Sequence, residues 1–528
     1  MPSALVMRPP ETFRDQDSEL AMRIKEDFTV AAVGDLIQMV PFSNRDDPDI
    51  QALMELMQSA DLTLANNENT VVDRLTFRGP ISHMEAPASV ADDWANMGID
   101  MVTKANNHTW DCGEAGLLQN LQQLHRVGID FVGTDYNITE ARLARFRSTP
   151  KGTVGFIGAY TQVSDYSQLF GLPGGEPIIV TSQQLLQLRG MRSSILARRS
   201  EVPVPIGLPK DDPETSVLVF GRIFKLAGEG DEADGELASI KKRMDHHNNS
   251  KGHVTFKNNT LELKVYHGVT AGQMAQLRAI AGVPEASEEE PDTSVLDAFG
   301  VHFKVAEGPG EYSYTMDTQE LRDVLREMRT AKQFSDFAAL TVHWHQNRFA
   351  FQHYSFDHYP ADYQIVLAHA AIDQGADLFF AHGVHTLKGI EIYRGKPIFY
   401  GLSNFVFQHQ LFRSWRDDAG GKGPAPIDGQ LAGDGESNEA RWEWLNKPQN
   451  CEALLAVSHY QRGRLARVLL YPADLGRTPR PGVDVGTPRR PTPEVALDIL
   501  ERVAEYSKPF GTVITIENGV GIVQIQSC

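Results

Sequence analysis

Short apolar runs recur along the chain, and each is followed at once by a polar side chain able to bind a metal or move a proton. Phe28–Gly34, Leu62–Ala65, Ile99–Val102, Ile129–Gly133, Thr153–Tyr160, Ala338–Val342 and Asp377–Phe380 have strand length and strand composition. Between them, Pro48–Ala60, Ser89–Met97, Leu117–Val127 and Ala361–Gln374 carry apolar residues at helical spacing. This alternation predicts an α/β fold with a largely parallel sheet covered on both faces. Gly389–Tyr393 and Pro397–Tyr400, joined by Arg394–Lys396, read as an antiparallel pair. The rhythm lapses near Thr161 and returns near Phe337. The helical segment Ser182–Arg199, the Pro-rich passage Val202–Pro213 and the acidic linker Glu285–Ser294 lie between, so an inserted α+β subdomain, a candidate lid, is expected over 166–335. The expected organisation is an arm at 1–27, a core of 28–165 and 336–475, and a helix with short strands at 476–528 that packs on the core.

Composition narrows the class. The chain has 528 residues, 41% of them hydrophobic, which is enough for one large core and a further module. A formal charge of −19 gives nucleic acid and anionic membranes no long-range attraction, so neither is an expected partner. No apolar run has the length of a membrane span, and proline and charge interrupt the amino terminus; a soluble, cytoplasmic protein is expected. Cys112, Cys451 and Cys528 have no CxxC spacing, so a metal here must use His, Asn and carboxylates.

The candidate chemistry sits at strand ends, where open α/β sheets keep their sites. Asp35 follows the first run, Glu68 the second, and Asn107 and His108 the third, with Asp111 placed to orient the His108 ring. His343 and His345 end the Ala338 run, and His382 and His385 end the Asp377 run. Oxygen and nitrogen donors without sulfur suit one or two ions of Mn(II), Fe(II) or Zn(II) rather than Ca(II) or Mg(II). Asn404 is expected on the pocket floor, Arg348 toward an anionic group of the substrate, and Trp344 beside the ligands, where it packs so as to exclude water or contacts substrate. Structural roles are expected for His353, His358 and His369, and a solvated polar loop for His246, His247 and His253.

The motifs in order are Gly34-Asp35, Asn66–Asn69 (NNEN), Ala105–Asp111 (ANNHTWD), His343–Gln346 (HWHQ), Gly375–Glu391 (GADLFFAHGVHTLKGIE) and Lys396–Phe407 (KPIFYGLSNFVF). This series resembles the CapA family of capsule and poly-γ-glutamate synthesis proteins, whose fold is similar to the calcineurin-like metallophosphoesterases. The likeness covers about Phe28–Tyr160 and Ala338–Tyr471; the region between them resembles nothing recognised. It implies a four-layer αββα sandwich of two mixed sheets with one or two metals at the strand ends. Carried over residue by residue, it implies that Asp35 is the first metal ligand, Glu68 the bridging carboxylate, Asn107 the amide ligand and His108 the general acid. His343, His382 and His385 fall on the later histidine ligands. Two departures stand out: Ile37 occupies a position where the phosphoesterases carry a histidine, and His345 stands where many family members have glycine.

The expected function is a metal-dependent hydrolase in which activated water attacks a γ-glutamyl or peptide-like amide, or a phosphoester, of a small or peptide-like substrate. His108 and Asp111 are the expected acid pair, and His345 a further catalytic group. The alternatives are metal-assisted proton transfer of the epimerase type, with His345 or His108 as base, and a non-catalytic polymer-binding component of capsule or poly-γ-glutamate synthesis.

Overall fold

The computed structural model describes residues 16–163, 177–198, 214–227, 257–284, 293–349, 357–411, 447–478 and 485–525. Its first long strand, β1 (Phe28–Ile37), is buried along nearly its whole length, as an apolar run covered on both faces requires. Beside it lie β2 (Leu62–Asn67), β3 (Met101–Thr103) and β4 (Asp130–Val132), all parallel, and on its other side the antiparallel β11 (Glu452–Gln461). With β12 (Arg464–Asp474) and two short terminal strands these form a nine-stranded mixed sheet, in which β10 (Asn404–Phe407) pairs with the carboxyl end of β1. Helix α1 (Pro48–Gln58) begins where the Asp47 side chain accepts from the Asp49 and Ile50 amides and Pro48 supplies a pre-set first turn. It packs with α2 (Ser89–Asn96) and α3 (Gly113–Arg126) in one apolar cluster with residues of this sheet.

The second sheet has ten strands and is also mixed. At its centre β5 (Gly152–Val163), β7 (Phe337–His343) and β8 (Leu378–His382) run parallel, flanked by β9 (Lys396–Phe399) and by β6 (Thr260–Val269). One cluster holds Phe28, Val30 and Leu64 of the first sheet with Phe156, Ala339 and Phe380 of the second, so the two sheets share a core. Helices α4 (Thr318–Phe334) and α5 (Asp362–Asp373) pack with β5, β7 and β8 in another. Helix α6 (Pro493–Ser507) buries Ile499, Leu500 and Val503 in the shared cluster.

The sheet runs across the expected insertion. Strand β6 pairs with β5 in parallel, Thr260 beside Tyr160, and α4 packs on the same sheet, so much of 257–334 is built into the main body. A separate three-stranded sheet of Ile178–Val180, Arg222–Leu226 and Ser216–Val219 packs with helix Ser182–Arg198 in a fourth cluster. His246, His247, His253, His353, Cys528, most of the acidic linker and the run 416–439 lie outside the described residues. Among the described residues no helix is long and apolar enough to cross a membrane.

Candidate metal centre

The two sheets meet at Asp35. Gly34 allows it: a Cβ there would stand 1.7 Å from the Ser403 carbonyl oxygen, which accepts the Asp35 amide at 3.1 Å. Parallel pairing places Asp35 beside Asn66 and Asn404, and in the other sheet His343 beside His382. Asp35 Oδ1 accepts from Asn66 Nδ2 at 2.8 Å and lies 3.1 Å from His382 Nδ1 and 3.7 Å from His343 Nδ1. Its Oδ2 accepts from the Gly383 amide at 2.9 Å and lies 3.4 Å from His385 Nδ1. Gly383 has φ +92°, and a Cβ on it would meet His343 Nε2 at 2.8 Å. His385 (φ 56°) and Ser403 (φ 63°) occupy the left-handed region without being glycine, and the Ser403 hydroxyl donates to the His385 carbonyl at 3.1 Å. Such strain persists only where surrounding contacts hold it, and it gathers at functional sites.

Two overlapping groups result. Asp35, His343 and His382 offer ligand atoms within 4.8 Å of one another, and so do Asp35, Glu68 and His385. Asp35, not Glu68, is common to both, which differs from the carry-over that gave Glu68 the bridging place. All five are buried. Both Glu68 carboxylate oxygens, His382 Nε2 and Asn107 Oδ1 are buried without a hydrogen-bond partner among the described residues. Most buried polar atoms in folded proteins have a partner. His343 Nδ1 stands 3.0 Å from His382 Nδ1, and His343 Nε2 stands 3.0 Å from His345 Nε2. A cluster so rich in lone pairs and poor in donors fits a divalent cation held by oxygen and nitrogen.

The electrostatics agree. Burial would push the Asp35 carboxyl up, but hydrogen bonds from His382 and His385 outweigh it and hold the group well below the usual carboxylate range. Burial, and then the charge of Asp35, push Glu68 well above that range. Burial and the neighbouring His345 drive His343 well below the ordinary imidazole value, leaving a neutral ring with a lone pair to give.

At the rim, His108 Nδ1 lies 2.8 Å from Asp111 Oδ2, and its Nε2 lies 3.8 Å from Glu68 Oε1. Although burial works against it, Asp111 is held at about 2 by His108, so it stays ionised. The turn is fixed from within: Asn106 Oδ1 accepts the His108 amide at 3.1 Å, and Asn106 Nδ2 donates to Asn66 Oδ1 at 3.1 Å and to the Asn67 carbonyl at 2.9 Å. Asn66, Asn106 and Lys104 were not singled out in the sequence, although each is adjacent to, or shares a motif with, a residue that was.

The other candidates separate. Asn404 joins the centre: its Oδ1 lies 2.6 Å from His385 Nδ1, so it orients that ring, and it is buried. His345 stands beside His343 and is 5% exposed, but it belongs to neither group. Trp344 is fully buried on the opposite side of the chain, against Tyr363 and Phe379, with Nε1 donating to the Tyr400 carbonyl at 3.3 Å. A substrate cannot reach it, which corrects its placement as a substrate contact and leaves core packing as its role. Arg348 is held by Glu311 at 3.2 Å, with its guanidinium 5.1 Å from the Phe349 ring centre. Ile37 lies in the apolar cluster under the first sheet, so its position supplies no ligand. His369 pairs with Glu391 at 2.9 Å and His358 stacks on Tyr506 at 4.0 Å, in line with structural roles.

The family model described as "Bacterial capsule synthesis protein PGA_cap" matches residues 29–176 and 246–409. Its second block begins inside the region that resembled nothing by sequence motifs. An uncharacterized protein, y4sH, of Sinorhizobium fredii is 27% identical over 531 residues, covering 97% of this chain and 96% of its own. The PGA biosynthesis protein CapA of Bacillus subtilis is 40% identical over 89 residues, 17% of this chain and 21% of that one. The capsule biosynthesis protein CapA of Bacillus anthracis is 32% identical over 108 residues, 20% and 24% of the two chains. A solved structure of a candidate 5'-nucleotidase from Staphylococcus aureus aligns over 72% of this chain and 49% of its own at 10% identity, with a TM-score of 0.29, too low to carry an argument. The two matched blocks span more than half of the sequence and include every residue of both ligand groups, and the chain therefore belongs to the bacterial capsule synthesis protein (PGA_cap) family.

Proposed function

We propose that this protein is a soluble, metal-dependent hydrolase whose core is the four-layer αββα sandwich of the metallophosphoesterases. The layering is supported by the apolar cluster shared between the sheets and by the helix-bearing cluster on the outer face of each. The observation that carries the activity is the division of Asp35: one oxygen faces His343 and His382, the other faces His385 near a Glu68 whose own oxygens have no partner. Asp35, His343 and His382 would hold one divalent cation, and Asp35, Glu68 and His385 a second, with Asn107 the further oxygen donor. When bound, such a cation supplies Lewis acidity, drawing electrons from the bond under attack and making nearby water more acidic.

The chain's own groups supply the rest. His108, with Nδ1–H donating to ionised Asp111, keeps Nε2 toward Glu68 and is placed to protonate the leaving group. Asn404 fixes the His385 ring, Asn66 fixes Asp35, and His345 stands beside His343 as a substrate contact or proton carrier. The substrate is a γ-glutamyl or peptide-like amide or a phosphoester, the first favoured by the names of the CapA relatives. Purified protein loaded in turn with Mn(II), Fe(II) or Zn(II) is assayed on γ-glutamyl amides and on phosphodiesters; turnover of either class, lost on Asp35→Asn, is expected. Solvent deuterium entering an otherwise unchanged product would instead assign proton transfer. Loaded protein that retains polymer but turns over nothing would assign a binding role.

A further inference from the structure

Lys104 directly follows β3 and is fully buried. Its Nζ donates to three consecutive backbone carbonyls, of Asn67 at 3.3 Å, Glu68 at 3.0 Å and Asn69 at 3.1 Å. An ammonium has three protons, and these three acceptors take them all, so Lys104 has no donor left for a substrate. Successive carbonyls of an extended strand point to opposite sides. Three that converge on one nitrogen require the chain to curl at Glu68, between β2 and the short strand Thr70–Val72.

Glu68 is the ligand most in need of such a device. Asp35 is fixed through its side chain by Asn66 and the Gly383 amide, and His385 by Asn404. Among the described residues no donor is within hydrogen-bond reach of either Glu68 carboxylate oxygen, and Lys104 grips the backbone at Glu68 and on both sides of it. The Asn67 carbonyl also accepts from Asn106, and the Asn69 carbonyl from Asn67 Nδ2. At the Glu68 carbonyl Lys104 is the donor found among the described contacts.

We propose that Lys104 is a positioning residue that curls the Asn67–Asn69 backbone so that the Glu68 carboxylate faces Asp35 and His385, completing the second of the two cation positions. The inference rests on the metal reading above. A neutral, donor-free side chain in its place releases the three carbonyls, lets the curl relax and removes a buried positive charge beside two acidic groups.

The test is Mn(II) titration of full-length, metal-free protein, with free Mn(II) read by electron paramagnetic resonance and folding checked by circular dichroism. Wild type is expected to take two ions. Lys104→Met is expected to keep the ion at Asp35, His343 and His382 and to bind the second about 10–100-fold more weakly, the usual effect of losing an outer-shell partner. Because Lys104 acts through Glu68, adding Lys104→Met to a Glu68→Gln protein is expected to change nothing further. If Lys104→Met does not fold, Lys104→Gln, which keeps a neutral amide donor, is put through the same comparison. A second ion bound as tightly by the Lys104 variant as by wild type overturns the inference and leaves the metal reading standing, and so does a Lys104 effect that persists in the Glu68→Gln background. Wild-type protein that binds no ion overturns the metal reading itself, and this inference with it.

Discussion

Asp35 is the residue on which both ligand groups depend, and the arrangement makes unequal predictions for its neighbours. Asp35→Asn removes the shared charge, so elemental analysis is expected to show both ions lost. His382→Ala is expected to lower metal content by one ion, since the Asp35, Glu68 and His385 group keeps its atoms. His108→Gln should leave metal content unchanged while lowering kcat by about 10²–10⁴-fold, the usual worth of a positioned general acid. A variant that instead lost its metal would move His108 from proton donor to ligand. At this scale the sequence was informative because strand ends can be read from apolar runs, and parallel topology brings strand ends together. Side-chain direction was legible only in part: the two-residue spacing puts His343 and His345 on one side if the strand continues, but nothing in NNEN told that Asn66 grips Asp35 while both Glu68 oxygens lack a donor among the described residues.

At the scale of elements, β1 runs close against the Leu402–Asn404 segment, with Asp35 paired beside Asn404. Gly34→Ala puts a methyl group into the Ser403 carbonyl, and backbone there has little room to move. The expected cost is about 1–3 kcal/mol or more in a denaturant melt, together with weakened metal binding, because the displaced strand carries Asp35. A second element contact responds to pH. Burial, with the charges of Lys388 and Arg502, pushes His358 down to about 4 while its ring stacks on Tyr506 of α6. The folded protein therefore keeps this ring neutral between its ordinary value and about 4, whereas the unfolded chain takes up a proton there. Stability from this contact is complete above the ordinary imidazole value, falls as pH drops through the window and is flat below about 4. Melting temperatures of His358→Phe are expected to differ less between pH 7.5 and pH 5 than those of wild type, by a gap worth up to about 2 kcal/mol. Elements were legible where pattern was local: strands beginning near Phe28, Thr153 and Ala338 and the helices between them are present. Partners were not. Strand β6 alternates as a half-buried strand should, but that it lies beside β5, some hundred residues away, is fixed by packing that no local window contains. That is why 257–334 read as an insertion and instead helps to build the main sheet.

For the whole molecule, a site whose buried lone pairs face one another is costly without a cation, so the proposed function couples metal to fold. Stripping with a chelator should lower the melting temperature, and returning Mn(II), Fe(II) or Zn(II) should restore it, by about 3 kcal/mol of stability at a hundredfold excess of free ion over Kd. The most direct measurement is elemental analysis of protein purified without chelator or nickel, compared with Asp35→Asn prepared alongside. About two divalent transition-metal ions per wild-type chain and almost none in the variant are predicted. A wild-type chain that carries no ion, and takes up none when Mn(II), Fe(II) and Zn(II) are supplied in turn, would contradict the account.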